Sequence, residues 1–245
     1  MTFTILGRDT NTGELGIGIA TYSLAVGATC PRILPGLGVV TSQASTNPAI
    51  GEEIMELLED GIDPTDAFMQ ALANDDHPEY RQIALLTPTG DPLIHSGANI
   101  KPSSGHVSGA NCIAIGNFLA SDNVLDAMVK GFENPDTIQS MTPSTTNDSS
   151  LANRLLSALA AGKTAGGQSG SNDAHLPERS ACLVVGSPQE RFPIDVRVDF
   201  SNEAITDLQA AFAAYHPMHD YYLKRADDPT ELPSQDEWVK QLDSK

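Results

Sequence analysis

Apolar and polar side chains alternate through the first part of the chain, with the period of two that is typical of strands. The first run places Phe3 and Ile5 on one side and threonines on the other, and a polar turn at residues 9–13 follows it. The strands predicted in this part are residues 2–8, 15–22, 33–34 and 37–43. The opening of the chain is therefore predicted to be almost entirely β-structure.

The period then changes to that of amphipathic helices. Asn47 followed by Pro48 is typical of a helix start, and Ile54 and Leu58 belong to an apolar stripe along the helix that follows. The helices predicted are residues 48–61, 64–74, 122–133, 149–161 and 202–225. The later strands predicted are residues 81–87, 92–96, 104–115, 180–186 and 196–198, with loops at 134–148 and 162–179.

The grouping of strands and helices, rather than their strict alternation, favours antiparallel sheets covered by helices. We predict an α+β fold: a four-layer αββα sandwich in which two antiparallel sheets pack face to face. The domain is predicted to span residues 1–225, followed by an acidic, proline-containing tail at 226–245 that is partly loose. A threonine at the start of the first strand would point between the two sheets.

The charge balance excludes two classes of partner. The 245 residues include 14 Lys and Arg against 32 Asp and Glu, a net charge of −18, which opposes binding to nucleic acid or to an anionic membrane. No run is long enough to span a membrane, and the start has no signal-peptide pattern, so a cytoplasmic location is expected.

The three cysteines, Cys30, Cys112 and Cys182, are too few and too far apart to indicate a disulfide framework.

Thr2 is the first candidate for chemistry because it follows Met1 directly. A small second residue favours removal of the initiator methionine, which would leave a hydroxyl and a free α-amino group on one residue. Such an amine, with an ordinary pKa of about 7.7–8.0, can act as the base for its own hydroxyl. The alternative is that the first strand simply begins with threonine.

Other candidate sites carry weaker signals. His216, His219 and Asp220 have a spacing that would permit a metal ion, although they lack the His-Glu-x-x-His pattern of zinc hydrolases. The short glycine pairs lack the full fingerprints of phosphate-binding loops, and no Gly-x-Ser-x-Gly elbow is present. A solvated helix surface explains the two histidines better than a metal does, and no metal or cofactor is expected.

Polar residues at the ends of apolar strands predict a pocket. Such a pocket suits acyl transfer, which requires hydroxyl groups to orient the nucleophile and amide groups to stabilise an oxyanion. The candidates are Thr21, Ser23, Gln43, Asn47, Asn117, His95, His106 and Arg8. Structural roles remain open for several of them: Asn47 is also a helix N-cap, Asn117 a turn residue, and Arg8 a partner of Asp9.

The chain contains several linked blocks of sequence, namely residues 1–9, Gly13-Glu14-Leu15-Gly16, Ala25-Val26-Gly27, Gln43-Ala44-x-x-Asn47-Pro48 with Gly51, His95-Ser96-Gly97 and Gly116-Asn117-Phe118-Leu119. Together they resemble the domain-of-unknown-function family numbered 1028, which is placed in the N-terminal-nucleophile (Ntn) hydrolase superfamily. The resemblance covers roughly residues 1–200. It implies the αββα sandwich and amide hydrolysis by an N-terminal Ser, Thr or Cys.

The chain departs from that family at one place. Where the family shows Gly-Gly-Asp-x-Arg-Gly, Gly166-Gly167 is here followed by Gln168, and Arg179-Ser180-Ala181 comes only after a longer polar stretch. Glu178 or Asp173 is a candidate for the missing carboxylate.

The leading hypothesis is an amidohydrolase of small amides or small peptides. Thr2 would be the nucleophile and Asn117 the oxyanion donor, with Thr21, Ser23 and Gln43 positioning the nucleophile or the substrate. Arg8, Asn47, His95 and His106 complete the predicted substrate site. The alternative is a catalytically silent binding or assembly protein on the same scaffold. Tyr215, Tyr221 and Tyr222 in the last helix suit either a homo-oligomer contact or packing on the chain's own sheet.

Overall fold

A computed structural model describes residues 1–101, 103–135, 150–170 and 174–242. The strands are β1 Thr2–Arg8, β2 Leu15–Thr21, β3 Pro31–Leu34, β4 Gly38–Ala44, β5 Arg81–Leu86, β6 Leu93–Ser96, β7 Gly105–Gly109, β8 Cys112–Asn117, β9 Gln168–Ser169, β10 His175–Leu176, β11 Ser180–Gly186 and β12 Ile194–Val198. The helices are α1 Val26–Thr29, α2 Pro48–Glu59, α3 Pro64–Ala73, α4 Asn123–Glu133, α5 Leu151–Thr164, α6 Ala204–Asp227 and α7 Gln235–Leu242, with a 3-10 turn at Pro78–Tyr80. The fold is mixed α+β.

Two antiparallel sheets carry the core. The larger has the strand order β12-β11-β2-β1-β8-β7, and the smaller has the order β3-β4-β5-β6. β9 and β10 form a separate two-stranded ribbon. β1 is central in the larger sheet, paired with β2 on one side and β8 on the other, so its first residue is enclosed from both flanks.

The alternation of side chains along β1 separates two hydrophobic clusters. Phe3 and Ile5 pack with residues of α4, α5 and α6 on one face of the larger sheet. Leu6 belongs to a cluster that joins residues of the larger sheet to residues of β4 and β5. A third cluster packs α2 and α3 on the opposite face of the smaller sheet. The side chains at even positions of β1 therefore face the smaller sheet.

Most predicted elements form within a few residues of the expected bounds, but the single strand predicted at 104–115 was wrong. It is a hairpin of β7 and β8 that turns at Ala110 and Asn111. Asn111 has φ 102°, a backbone conformation that asparagine tolerates better than most residues. Gly109 and Asn111 at this turn are typical turn residues, so the sequence did carry a signal for it.

The C-terminal part is more ordered than predicted. Tyr221 of α6 packs on Trp238 of α7 with ring centroids 5.3 Å apart, and its hydroxyl donates to the Pro233 carbonyl at 3.3 Å.

The loop predicted at 162–179 also contains β9 and β10. Most of the loop predicted at 134–148 lies outside the described residues. Within the residues that are described, no helix is both long and apolar enough to cross a bilayer.

Candidate active site

Four polar side chains form a row across the end of the larger sheet. Thr2 on β1 is paired with Thr21 on β2 and with Asn117 on β8, and Thr21 is paired in turn with Ser180 on β11. The same face of these four strands carries members of the cluster between the sheets, so the whole row lies on the face toward the smaller sheet; the members are Leu6, Ile19, Ile115 and Cys182. The end of β1 thus becomes polar where the apolar contact between the sheets ends.

The hydroxyl of Thr2 is held by the hydroxyl of Thr21. The two oxygens are 3.1 Å apart, and the Thr21 hydroxyl donates a hydrogen bond to the Met1 carbonyl. Because a threonine hydroxyl has one hydrogen to donate, Thr2 is the donor in the bond between the two threonines. Thr2 is only 6 % exposed.

A buried chain of amide groups lies beside the threonines. Gln43 Oε1 accepts from the Thr4 hydroxyl at 2.6 Å, and Gln43 Nε2 donates to Gln82 Oε1 at 2.9 Å. Gln82 Oε1 also accepts from Asn117 Nδ2 at 3.0 Å, while Gln82 Nε2 donates to the Gly116 carbonyl at 2.9 Å. Gln82 therefore links the two sheets and fixes the orientation of the Asn117 amide.

Asn117 is incompletely satisfied in this network. Its Oδ1 is buried and finds no hydrogen-bond partner among the described residues, and Gln82 occupies only one of its two Nδ2 hydrogens. A buried polar atom without a partner costs about 1–3 kcal/mol, so such atoms often mark a place where a ligand or water binds. The amide is placed beside the Thr2 backbone, its partner in the strand pair.

Sequence reasoning missed Gln82 and Gln168. Gln82 stands in an otherwise apolar strand, and that break in the pattern was the available signal. Gln168 is fully buried: its Oε1 accepts from the Tyr22 N–H at 3.1 Å and its Nε2 donates to the Pro177 carbonyl at 3.2 Å. Gln168 lay in a predicted loop, where glutamine carries no signal of burial.

Glu178 is the buried carboxyl nearest in sequence to this row. It is 2 % exposed, and its Oε1 has no hydrogen-bond partner within the described part of the chain. Burial raises the pKa of this carboxyl, an effect that a backbone hydrogen bond and the charges of Lys163 and His175 partly oppose. Asp173, the other candidate for the carboxylate, lies outside the described residues.

The α-amino group of Met1 is partly buried, near Cys30. Burial lowers its pKa to about 6, and the nearby Cys30 thiol acts in the opposite direction. Burial also raises the pKa of Cys30, whose Sγ is 3.6 Å from the Thr46 hydroxyl oxygen.

The two other cysteines, Cys112 and Cys182, are buried as predicted, and burial raises the pKa of Cys112 to about 12.

The structure brings Thr2, Thr21, Asn117 and Gln43 together, and it places Arg8 elsewhere. Arg8 ends β1, so a rise of about 3.3 Å per residue puts it about 20 Å from Thr2. Its guanidinium donates to Asn111 Oδ1 and to the carbonyls of Thr87 and Gly90. These bonds fasten the far end of β1 to two turns.

The Ser23 backbone contacts two members of the row, whereas Asn47 contacts other partners. Ser23 is exposed; its N–H donates to the Thr21 hydroxyl oxygen at 3.3 Å and its carbonyl accepts from Ser180 Oγ at 2.8 Å. Asn47 caps α2 through the Ala49 N–H and donates to Asp75 Oδ1 at 2.9 Å. The structural role left open for Asn47 is thus present.

Neither predicted histidine joins the row of polar side chains. His95 is paired with Ile83, whose side chain packs with α2 and α3, so it lies on the face of the smaller sheet that points away from Thr2. Its Nε2 is 2.7 Å from the Pro78 carbonyl. His106 is exposed on the edge strand β7.

The alternative metal site does not form. His219 has its Nδ1 2.9 Å from the Tyr215 hydroxyl and its Nε2 3.0 Å from Glu190 Oε2, while Asp220 accepts from Lys224. The His216 ring packs instead on Phe212. Across the described residues, no group of three or more His, Cys, Asp or Glu side chains is arranged to hold a metal ion.

Comparison with known proteins supports one family. The model of DUF1028, a family of unknown function, matches residues 2–208. The crystal structure of protein SPO2555 from Silicibacter pomeroyi, also matched by the DUF1028 model, is 30% identical, with a TM-score of 0.72 over 87% of this chain and 88% of that one. Among curated proteins, no sequence matches the chain. The family match spans most of the chain, and we conclude that the protein belongs to the DUF1028 family.

Proposed function

We propose that the protein is an Ntn-type amidohydrolase in which removal of Met1 exposes Thr2 as the nucleophile. The contact between the two sheets, with helices on both outer faces, supports assignment to the four-layer αββα sandwich of that superfamily. The observation that carries the proposal is the placement of Thr2: its hydroxyl lies at the polar end of the contact between the sheets, bonded to Thr21 and beside the Asn117 amide.

The reaction requires only groups of this chain and water. The free Thr2 amine accepts the hydroxyl proton while Thr2 Oγ attacks the substrate carbonyl, forming a tetrahedral oxyanion. The amine then gives the proton to the leaving nitrogen, the C–N bond breaks, and an ester on Thr2 remains. Water, deprotonated by the same amine, attacks the ester, which releases the acid and restores the hydroxyl.

The second Nδ2 hydrogen of Asn117 is the proposed donor to the oxyanion, because its first hydrogen is bonded to Gln82. Gln43 and Gln82 hold that amide from the smaller sheet. Thr21 orients the nucleophile: it holds the Thr2 hydroxyl before attack, and removal of Met1 deprives it of its carbonyl acceptor. Small amides are the proposed substrates, because Thr2 lies at the end of the contact between the two sheets rather than on an open surface.

A second candidate is a catalytically silent binding protein in which Met1 stays in place and its carbonyl keeps the hydrogen bond from the Thr21 hydroxyl. While Met1 is present, Thr2 has no free amine. Retention of Met1 in the protein purified from cells would therefore support the binding protein, and its removal would support the hydrolase.

The test compares two proteins that differ only in Met1. Each is released from an N-terminal fusion by a protease that leaves no extra residue, so that one begins at Met1 and the other at Thr2. Intact mass verifies both samples, and a panel of small acyl amides is then assayed for amine release. We expect turnover only from the protein that begins at Thr2.

Two variants of the shorter protein complete the test. Thr2→Ala is expected to abolish turnover with an unchanged circular dichroism spectrum, whereas Thr10→Ala, in the exposed turn after β1, should behave as wild type. Turnover by the Thr2→Ala variant, or equal turnover with and without Met1, would refute the mechanism.

A further inference from the structure

The buried side-chain amides between the two sheets can each stand in only one orientation. Gln82 Nε2 is 2.9 Å from the Gly116 carbonyl oxygen and 3.4 Å from that of Gly105. Backbone carbonyls only accept hydrogen bonds, so the nitrogen and not the oxygen of the Gln82 amide must face them. Gln82 Oε1 therefore faces Gln43 and Asn117, and each of these presents its amide nitrogen to it. The orientation of the Asn117 amide is thus set by backbone groups that cannot turn.

Asn117 Oδ1 is consequently a fixed acceptor that lacks a donor. Asn117 is 1 % exposed, and its Oδ1 has no hydrogen-bond partner among the described residues. Turning the amide by half a rotation would present hydrogens in place of the oxygen, but it would also bring Oδ1 against Gln82 Oε1, where two acceptors would meet. The atom that satisfies Oδ1 must therefore be a donor, and it must come from outside this network.

The backbone nitrogen of Thr2 is close to this acceptor. Thr2 and Asn117 stand directly opposite each other in β1 and β8, and the Cβ atoms of such a pair are about 4.5–5.5 Å apart. Both side chains lie on the face toward the smaller sheet, since Asn117 bonds to Gln82 and Thr4, two residues after Thr2, bonds to Gln43. The Asn117 amide is thus within one side-chain length of the Thr2 nitrogen.

Removal of Met1 changes the number of hydrogens on that nitrogen. As part of the peptide bond to Met1, the nitrogen of Thr2 has one hydrogen. The free amine has two, and three when it is protonated. The new donors therefore appear on the residue opposite the acceptor that lacks one. A bond from one amine hydrogen to Asn117 Oδ1 fixes the direction of the amine and leaves its lone pair for the hydroxyl proton.

We propose that Asn117 Oδ1 accepts a hydrogen bond from the free amine of Thr2 and so positions the base of the reaction. The inference rests on the removal of Met1 in the proposed function, but the bond itself does not require turnover. One amide group then serves the reaction twice: Oδ1 holds the base, and the second Nδ2 hydrogen is left for the oxyanion. Gln82 is the positioning residue that keeps the two atoms in these places.

The first test measures the pKa of the Thr2 amine by NMR and needs no substrate. The protein that begins at Thr2 carries ¹³C-labelled threonine, and the Thr2 Cα signal is the one that titrates in this form and is missing from the form that begins at Met1. Asn117→Leu cannot accept a hydrogen bond and should lower the pKa by about 1, because the lost bond favoured the protonated amine. Asn117→Asp keeps an acceptor, adds a negative charge and should raise the pKa.

Ser42→Ala provides the matched control. Ser42 is also a buried strand residue whose side-chain oxygen has no partner among the described residues. It is paired with Ile83, whose side chain packs with α2 and α3, so Ser42 lies on the face of the smaller sheet that points away from Thr2. This variant should leave the amine pKa unchanged. The Cys30 thiol, whose charge acts on the Met1 amine, is present in every variant and cancels in the comparison.

The second test requires no substitution at Asn117. In a crystal structure of the protein that begins at Thr2, we expect about 2.7–3.2 Å between Asn117 Oδ1 and the Thr2 nitrogen. A distance above about 3.5 Å, or an amine pKa in Asn117→Leu that equals or exceeds that of the wild type, would overturn the inference. Loosening of the fold would expose the amine and raise its pKa toward the ordinary value, so a fall separates the lost bond from lost structure.

Both measurements are independent of hydrolysis, so the two proposals can fail separately. The expected distance and pKa changes without turnover of any amide would support the positioned amine and count against the hydrolase. Turnover by a protein in which the bond is absent would overturn this inference and leave the hydrolase with an amine held by other groups.

Discussion

The side-chain amide of Asn117 donates to Gln82 and is also the proposed donor to the oxyanion. Its first Nδ2 hydrogen is committed to Gln82, and its Oδ1 is buried without a partner among the described residues. The sequence predicted which polar residues stand at the strand ends, namely Thr2, Thr21, Gln43 and Asn117. It did not predict Gln82, the partner of Gln43 and Asn117, because a hydrogen bond between two sheets depends on how the sheets pack.

Replacement of Asn117 tests the oxyanion role. In the protein that begins at Thr2, Asn117→Ala should lower kcat about 10²–10³-fold, the range found when one oxyanion donor is removed. Gln82→Ala removes the bond that orients the amide but leaves the donor itself, so its loss in kcat should be smaller. A kcat for Asn117→Ala within a few-fold of wild type would exclude Asn117 as the donor.

The pH dependence of turnover tests the amine as base. Burial lowers the pKa of the Met1 amine. The Thr2 nitrogen belongs to a residue that is only 6 % exposed, so we expect burial to hold the pKa of its free amine below the ordinary value of about 7.7–8.0. Only the neutral amine accepts a proton, so kcat/KM should rise with pH through that lowered pKa and become constant by about pH 8. A rise that continues above pH 8 would contradict a buried amine.

At the scale of elements, local signals predicted the long helices and paired strands, whereas short elements depended on tertiary contacts. α1 has four residues and begins after Ala25 at φ 54°, without a side-chain cap. β9 and β10 have two residues each, too few for a periodic pattern. α7 lies on α6 through Trp238 and Tyr221, a contact that no local pattern shows.

The contact between α4 and β1 provides a test of packing. A Cβ added at Gly7 would lie 2.4 Å from Phe132 Cε2, whereas one at Gly105 would meet only Leu125 at 3.9 Å. Gly7→Ala should therefore lower the free energy of unfolding by about 1–3 kcal/mol or more, as overpacking does. Gly105→Ala is the control and should be nearly neutral in urea denaturation; equal effects of the two would contradict this packing.

The docking of α7 can be followed through Trp238, the single tryptophan of the chain. Tyr221→Ala removes the ring against which it packs, so tryptophan emission should shift to longer wavelength while far-UV circular dichroism changes little. Tyr80→Ala, an exposed tyrosine near β5, is the control and should leave the emission unchanged. Unchanged emission in Tyr221→Ala would mean that α7 does not depend on this contact.

At the scale of the whole molecule, the charge balance was readable from the sequence but its local exceptions were not. A net charge of −18 creates a negative potential that opposes the approach of an anionic ligand. Arg179 is a local exception: among the described residues its guanidinium lies over the rings of Tyr22 and Phe200 and not beside a carboxylate, an arrangement that depends on tertiary contacts.

The same net charge predicts how salt affects stability. Repulsion among excess carboxylates weakens the folded state, and salt screens it, since the Debye length falls from about 10 Å at 0.1 M to about 3 Å at 1 M. Exposed ion pairs such as Lys224–Asp220 contribute only about 0.3–0.5 kcal/mol each, so their loss on screening is small by comparison. The Tm should therefore rise by several degrees between 20 mM and 500 mM NaCl, and equally in KCl, because screening depends on ionic strength alone. A Tm that falls with salt would show that the ion pairs outweigh the repulsion, and a rise in only one of the two salts would indicate a specific ion site.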